Sequence, residues 1–213
     1  MICPLCQTLN STIFFQGPNG EYIHCTNCDL IYLDSKFYLN SQDEKKRYET
    51  HQNIPSDEKY RNYLLSTFRH VQDKLPPNAK LLDFGCGPTE GMKYVVSKFG
   101  FHCDSYDPFF FPSLSFENFS YDGIILSESL EHFYEPQHQL ERILSLLKKD
   151  GKLLIRTERH LGEDHFRTWY YQKDPTHVIF FSNKTFEFIA KRYNLLSSFP
   201  DKNIVLFWRS SEA

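Results

Sequence analysis

Apolar residues recur at helical spacing from Ser56 onward. Tyr60, Leu64, Phe68, Val71 and Leu75 fall on one face, Ser56 or Asp57 can cap the start, and Pro76-Pro77 stops the run. The period then changes. Lys80 to Phe84 reads as a short buried strand, and Gly91 to Phe99 as a helix with Met92, Val95, Val96 and Phe99 on one side. Phe101 to Asp107 reads as a second strand, and Gly123 to Leu126 as a third, apolar enough to lie centrally in a sheet. Leu140, Ile143, Leu144 and Leu147 mark another amphipathic helix, which Asp150-Gly151 should end before a strand from Lys152 to Arg156. After a long loop, Ser182 or Asn183 can cap a helix that turns Phe186, Ile189 and Tyr193 inward. Leu195 to Phe199 and Ile204 to Trp208 read as a closing pair of strands around Pro200-Asp201. This alternation predicts an α/β fold, a largely parallel sheet with helices on both faces.

The first 33 residues do not share that pattern; they are rich in Cys, Thr, Asn and Gly. A polar connector over 34–55 follows, so the chain divides into a module (1–33), a connector and a main domain (56–213). Cys3-Pro4-Leu5-Cys6 and Cys25-Thr26-Asn27-Cys28 are C-x2-C pairs separated by 18 residues, the spacing of a zinc ribbon. Four thiolates on one tetrahedral ion leave no open position, so Cys3, Cys6, Cys25 and Cys28 predict a structural zinc. A segment this small buries too little to fold alone, and the metal would supply the missing stability. His24 beside Cys25 is an alternative ligand. Cys86 and Cys103 read as small packing residues.

Composition narrows the function. The chain has 213 residues with 40% hydrophobic positions and a net charge of −3, which does not suit a general nucleic-acid binder. The basic run Lys45-Lys46-Arg47 is flanked by acids and reads as a solvated helix face. Met1 to Pro4 offers no basic n-region and no long apolar run, and no stretch suits a membrane span. A soluble cytoplasmic protein is expected.

The chemistry concentrates in Leu82-Asp83-Phe84-Gly85-Cys86-Gly87-Pro88-Thr89-Glu90-Gly91, a strand, a glycine-rich turn and a helix start. Gly85 and Gly87 let the backbone approach a ligand closely. Asp107, 22 residues after Gly85, ends the next strand, where an acid can accept hydrogen bonds from both ribose hydroxyls of an adenosine. A nicotinamide enzyme would use the same logic, but its third glycine would come sooner than Gly91 does. An ordinary βα turn with packing glycines is the alternative.

These motifs resemble those of class I S-adenosylmethionine-dependent methyltransferases. LLDFGCGPTEG is similar to the first motif of that family, YDP to the acidic end of its second strand, and YDGIILSESLEHF, DGKLLIRT and DPTHVIFFSNKTFEFIA to segments of its quinone-biosynthesis O-methyltransferase-like branch. The likeness spans roughly 57–209 and implies a Rossmann-like sheet with S-adenosylmethionine as cofactor. It implies that Asp83, Gly85, Cys86, Gly87, Asp107, Ser127 and Glu128 contact that cofactor, Ser127 and Glu128 beneath the sulfonium. The span from Asp107 to Tyr121 is short and carries Phe109-Phe110-Phe111, which either enclose adenine in place of a missing strand or pack elsewhere.

Methyl transfer to a hydroxyl needs a base, and His132, His177 and Glu128 are the candidates; His160 and His165 fall in a loop expected at the surface. Trp169-Tyr170-Tyr171 either lines an acceptor pocket or packs the loop. Glu128-x-x-Glu131-His132 with His177 also resembles the metal centre of small-RNA ribose methyltransferases, so Glu128, Glu131, His132 and His177 form a second candidate site for a divalent ion. The alternative is a capped, hydrogen-bonded turn. A small-molecule acceptor is the leading expectation; RNA, docked through the ribbon, and a non-catalytic cofactor-binding protein are the other two.

Overall fold

The computed structural model describes residues 1–50 and 54–210; connector positions 51–53 and the last three residues lie outside the described residues. The chain opens with β1 (Ser11–Gly17), β2 (Gly20–Cys25) and β3 (Ile31–Leu33), then α1 (Ser41–Glu49) and α2 (Glu58–Gln72). Next come β4 (Lys80–Phe84), α3 (Gly91–Ser97), β5 (His102–Tyr106), β6 (Tyr121–Ser127), α4 (Pro136–Leu146) and β7 (Leu147–Arg156). The chain closes through α5 (Glu163–Thr168), β8 (Ile179–Phe180), α6 (Asn183–Arg192), β9 (Leu195–Asp201) and β10 (Ile204–Arg209).

Six strands form the main sheet in the order β5-β4-β6-β7-β10-β9. β5, β4, β6 and β7 run parallel, and β10 is antiparallel to both β7 and β9. Alternation along each strand sends neighbours to opposite faces. Leu81, Ile125, Leu154 and Leu206 pack with α2 and α3, whereas Leu82, Ile124, Leu153 and Phe207 pack with α4 and α6. The expected α/β sheet with helices on both faces is therefore present. Asp57 caps α2 and Ser182 caps α6 in a capping box with Thr185, both at positions the sequence offered.

Two boundaries differ from expectation. α3 ends at Ser97 because Gly100, at φ 79°, takes the left-handed stop; Phe99 leaves the helix and is 42% exposed. Asp150-Gly151 does not separate a helix from a strand. β7 already begins at Leu147, paired with Tyr121, and the register shifts before Gly123 meets Lys152, so the dipeptide sits inside the strand at an irregularity.

β1, β2 and β3 form a second sheet that is completed by β8, with Ile31 opposite Phe180. Tyr22, Phe166 and Phe180 lock it to the main body, with ring centroids 5.0 Å and 4.9 Å apart across Phe166. The Tyr22 hydroxyl donates to the Gln172 carbonyl at 2.9 Å. His160, expected at the surface, is 2% exposed: its Nε2 donates to the Asp29 carbonyl across this junction. No helix among the described residues is long and apolar enough to cross a membrane.

Candidate active site and cysteine cluster

β4 lies between β5 and β6; the chain leaves β4 for β5 on one side and crosses from β5 to β6 on the other, so a crevice opens at the carboxyl ends of β4 and β6. A cavity of about 510 Å³ occupies it. Gly85, at φ 84°, turns the chain out of β4, and a Cβ there would stand 2.5 Å from the Ser129 Cβ. Gly87, at φ 67°, faces open space, a place where a side chain would fill the crevice that a ligand needs. The glycine loop is tied to the end of β5: the Gly85 and Cys86 amides both donate to the Tyr106 carbonyl. Asp107 follows. Its Oδ2 accepts from the Gly87 amide at 3.0 Å and its Oδ1 from the amides of Phe109 and Phe110 at 2.9 and 3.1 Å. Asp107 therefore shapes both loops, and Oδ2 retains acceptor capacity toward the cavity. Burial, with the Asp107 charge second, pushes Asp83 up to about 7.

β6 ends at Ser127, whose hydroxyl is buried at the cavity wall near Tyr63 without a hydrogen bond of ordinary geometry. Glu128 follows at φ 51°, a conformation costly for a residue with a Cβ and often found where function demands it. Its carboxylate accepts from Tyr63 at 3.2 Å and from Tyr171 at 2.8 Å. Glu131, fully buried, lies against the same Tyr171 hydroxyl, whose single proton it shares with Glu128, and accepts from Thr157 at 3.0 Å. Burial, then Glu131, pushes Glu128 up to about 8; burial also raises Glu131. Tyr171 is thus a bridge behind the site. It and Trp169 are buried and do not line the cavity, and Tyr170 is exposed.

Two imidazoles complete the wall. His132 Nδ1 donates to the Thr176 carbonyl at 2.9 Å, and His177 Nδ1 donates to the Tyr171 carbonyl at 2.8 Å. Because a carbonyl only accepts, both rings are fixed in the tautomer that leaves Nε2 with a lone pair. Burial lowers His132, and burial together with His132 lowers His177 to about 3, so both are neutral near pH 7. One ligand atom each from Glu131, His132 and His177 lies within 4.8 Å of the others, a set that can hold an ion. Glu128 is not in that cluster.

No sequence pattern marked Glu44 and Tyr48, which reach the cavity from α1. α1 is polar all round, so periodicity carries no signal there. Tyr60 and Tyr63 of α2 also line the cavity; Tyr60 sits on the apolar face that the sequence assigned to the core. Phe109 lines the cavity beside Asp107, as one of the two readings of the Phe triplet required.

At the other end, the thiols of Cys3, Cys6, Cys25 and Cys28 lie within 4.8 Å of one another. Sγ separations are 3.6 Å for Cys3–Cys28 and 3.5 Å for Cys6–Cys25, far beyond a disulfide and close to the edge of about 3.8 Å expected of four thiolates around one zinc. Both knuckles close alike: the amides of Gln7 and Asp29, each at φ 62°, donate to the carbonyls of Cys3 and Cys25. Hydrogen bonding from Cys28 pulls Cys3 down to about 5, which favours a thiolate. His24 points away, bridging Asp29 and Glu163 at 2.9 Å each, so it joins the module to α5. Cys86 and Cys103 are buried apart from this cluster.

A glycine turn, an acid at the next strand end and a crevice at the switch point define an α/β protein that binds a nucleoside-like ligand. A family model described as a methyltransferase domain matches residues 57–196. The chain belongs to this family, and it is an S-adenosylmethionine-dependent methyltransferase. No curated protein matches the sequence. Among solved structures, it is similar to the 1,6-didemethyltoxoflavin-N1-methyltransferase of Burkholderia thailandensis, solved with 1,6-didemethyltoxoflavin and S-adenosylhomocysteine: 13% identity, 92% of this chain and 96% of that one, TM-score 0.52. It is also similar to a chain from a complex of a methyltransferase activator with a methyltransferase in Haloferax volcanii: 12% identity, 76% and 95% covered, TM-score 0.50. At these identities the likeness shows the fold.

Proposed function

We propose that the protein transfers a methyl group from S-adenosylmethionine to a small-molecule acceptor, by O-, N- or C-methylation, in the manner of the quinone-biosynthesis-like branch. The observation that carries this is one cavity holding both the Gly85–Gly87–Asp107 loop and two imidazoles with free Nε2 atoms. When bound, the cofactor supplies an electrophilic methyl on a cationic sulfonium. Gly87 leaves room for its amino-acid part, Asp83 and the loop amides orient that part, and Asp107 Oδ2 receives the ribose. Ser127 and Glu128 lie at the β6 tip, where the sulfonium would rest. His132 or His177 takes the acceptor's proton, each already in the required tautomer. Glu128, held by Tyr63 and Tyr171 with lone pairs to spare, is the third candidate base.

The cysteine cluster is read as a structural zinc site. A second reading of the imidazole wall is favoured by the grouping of Glu131, His132 and His177: a divalent ion bound there would lower the pKa of an acceptor hydroxyl. Glu131 would have to share its carboxylate with Tyr171 and Thr157.

Labelled S-adenosylmethionine, offered with a metabolite pool and an RNA pool, should pass label to the metabolites. Label in RNA instead, or preferential binding of NAD over S-adenosylhomocysteine, refutes the proposal. Titrating magnesium, manganese and zinc into the S-adenosylhomocysteine complex tests the ion, with Glu131→Gln and His177→Ala as controls.

A further inference from the structure

We infer that the acceptor half of the cavity selects an uncharged or cationic aromatic molecule bearing an O–H or N–H group, with Glu44 and Tyr48 of α1 as its specificity-determining residues. The inference rests on the small-molecule reading above and names the acceptor class for that same site.

The first argument is charge. Four carboxylic residues line the cavity: Glu44, Asp83, Asp107 and Glu128. Among the described residues, no lysine or arginine lines it. Of the nearby cations, Arg156 donates to Thr67 at 2.9 Å, stands 4.1 Å from the Tyr63 ring centre and holds its Nε 3.7 Å from the Glu128 carboxylate, so it answers one of the four acids; Arg47 pairs with Asp174 at 2.5 Å, and Lys45 faces Phe110. An acceptor carrying a carboxylate or phosphate would enter this field with no lysine or arginine among the described lining residues to neutralise it.

The second argument is shape and hydrogen bonding. The Tyr48 ring stands edge-on to His132 with centroids 5.2 Å apart and meets Phe109 at 5.7 Å, so α1 lays an aromatic wall against the imidazoles. Glu44 is 7% exposed, and its oxygens accept from the Tyr48 hydroxyl at 2.7 Å and the Tyr134 hydroxyl at 3.0 Å. Each oxygen keeps a lone pair for a donor on the acceptor. The free Nε2 atoms of His132 and His177 are also acceptors only. Every fixed polar group on this wall therefore asks the substrate for a proton donor.

The step balances within that wall. The substrate O–H or N–H gives its proton to an Nε2 of His132 or His177, its electron pair forms the bond to the methyl carbon, and the broken S–C bond returns its pair to sulfur. The products are the methylated ether or amine, a neutral thioether and an imidazolium, which the carboxylates stabilise until its proton passes to solvent.

The test is calorimetry on the full chain saturated with S-adenosylhomocysteine, with 4-methylphenol, tyramine and 4-hydroxyphenylacetate as probes. The neutral and cationic probes should bind at least about tenfold more tightly than the anionic one. Glu44→Gln should shrink the advantage of tyramine, and Tyr48→Ala should weaken 4-methylphenol and tyramine alike by about tenfold. Equal or tighter binding of 4-hydroxyphenylacetate, as an ion on the imidazoles would produce, overturns the inference; so does binding of none of the three. Failure of S-adenosylhomocysteine itself to bind overturns instead the methyl-transfer reading on which the inference rests.

Discussion

The cysteine cluster and the cavity at the ends of β4 and β6 both gather polar groups into a buried place, by opposite means. In the N-terminal unit the four thiols converge from two local turns, each closed by its own hydrogen bond from Gln7 or Asp29. In the cavity the groups converge from residues far apart: Asp107, Glu128, His132 and His177, with Glu44 from α1, are brought together only because strands align and helices cover them. On the zinc reading proposed above, the first would draw its stability from an ion; the second depends on a close-packed sheet. Local turns make a site cheap to encode, and a packed sheet makes one whose groups can be shifted in pKa and fixed in tautomer.

The sharpest way to break that contrast is Cys25→Ser. The variant should lose about one equivalent of tightly held zinc by elemental analysis, and β1–β3 should become sensitive to protease, while the main sheet keeps its cooperative melt. Retention of stoichiometric zinc in a chain lacking residues 1–33 would refute the assigned ligands. Phe180→Ala probes the seam between the two regions. It empties the ring cluster with Tyr22 and Phe166 and should cost about 3–5 kcal/mol by denaturant unfolding. A loss below about 1 kcal/mol would mean the regions are independent.

Asp107→Ala removes the acceptor of three loop amides and should weaken S-adenosylhomocysteine by roughly 10- to 100-fold in calorimetry. Unchanged affinity would separate Asp107 from cofactor binding. The cavity should also show in the pH dependence of stability. Glu128 and Asp83 are raised to about 8 and about 7, so at these groups the folded state holds more protons than the unfolded one, and their contribution to stability falls as pH rises from about 4 through 8. His177 is lowered to about 3, so at this group the unfolded state binds more protons between about 3 and 6.5, and its opposing contribution falls as pH drops through that window. Asp83→Asn should remove the Asp83 share of the slope between about pH 4 and 7 and leave the Glu128 share up to about 8; an unaltered profile in that window contradicts the raised carboxyl. The smallest effect is expected of Arg47→Ala, which breaks a partly exposed pair with Asp174 and should cost under about 1 kcal/mol.

Much of this molecule was legible before any fold was known. Asp57 and Ser182 cap helices where they were expected, and the apolar runs at 80–84 and 123–126 became adjacent central strands. Each is a local effect, a side-chain oxygen near free amides or an apolar run with a short period, so sequence neighbours suffice. The roles of Tyr171, His160 and Glu44 were not legible. Tyr171 sits behind Glu128 and Glu131, His160 is sealed under the Asp29 carbonyl, and Glu44 belongs to a helix with no apolar face.

Local sequence set the strand–helix alternation, the glycine turn and the two C-x2-C turns, because the backbone conformation these need is settled within a few residues. Long-range packing is what pairs β3 with β8, roofs the imidazoles with α1, and gives His132 and His177 a tautomer set by the backbone carbonyls of Thr176 and Tyr171. Those arrangements depend on burial and on hydrogen bonds between groups up to about 150 positions apart, as in Tyr22 with Gln172, and no local pattern along the chain encodes them.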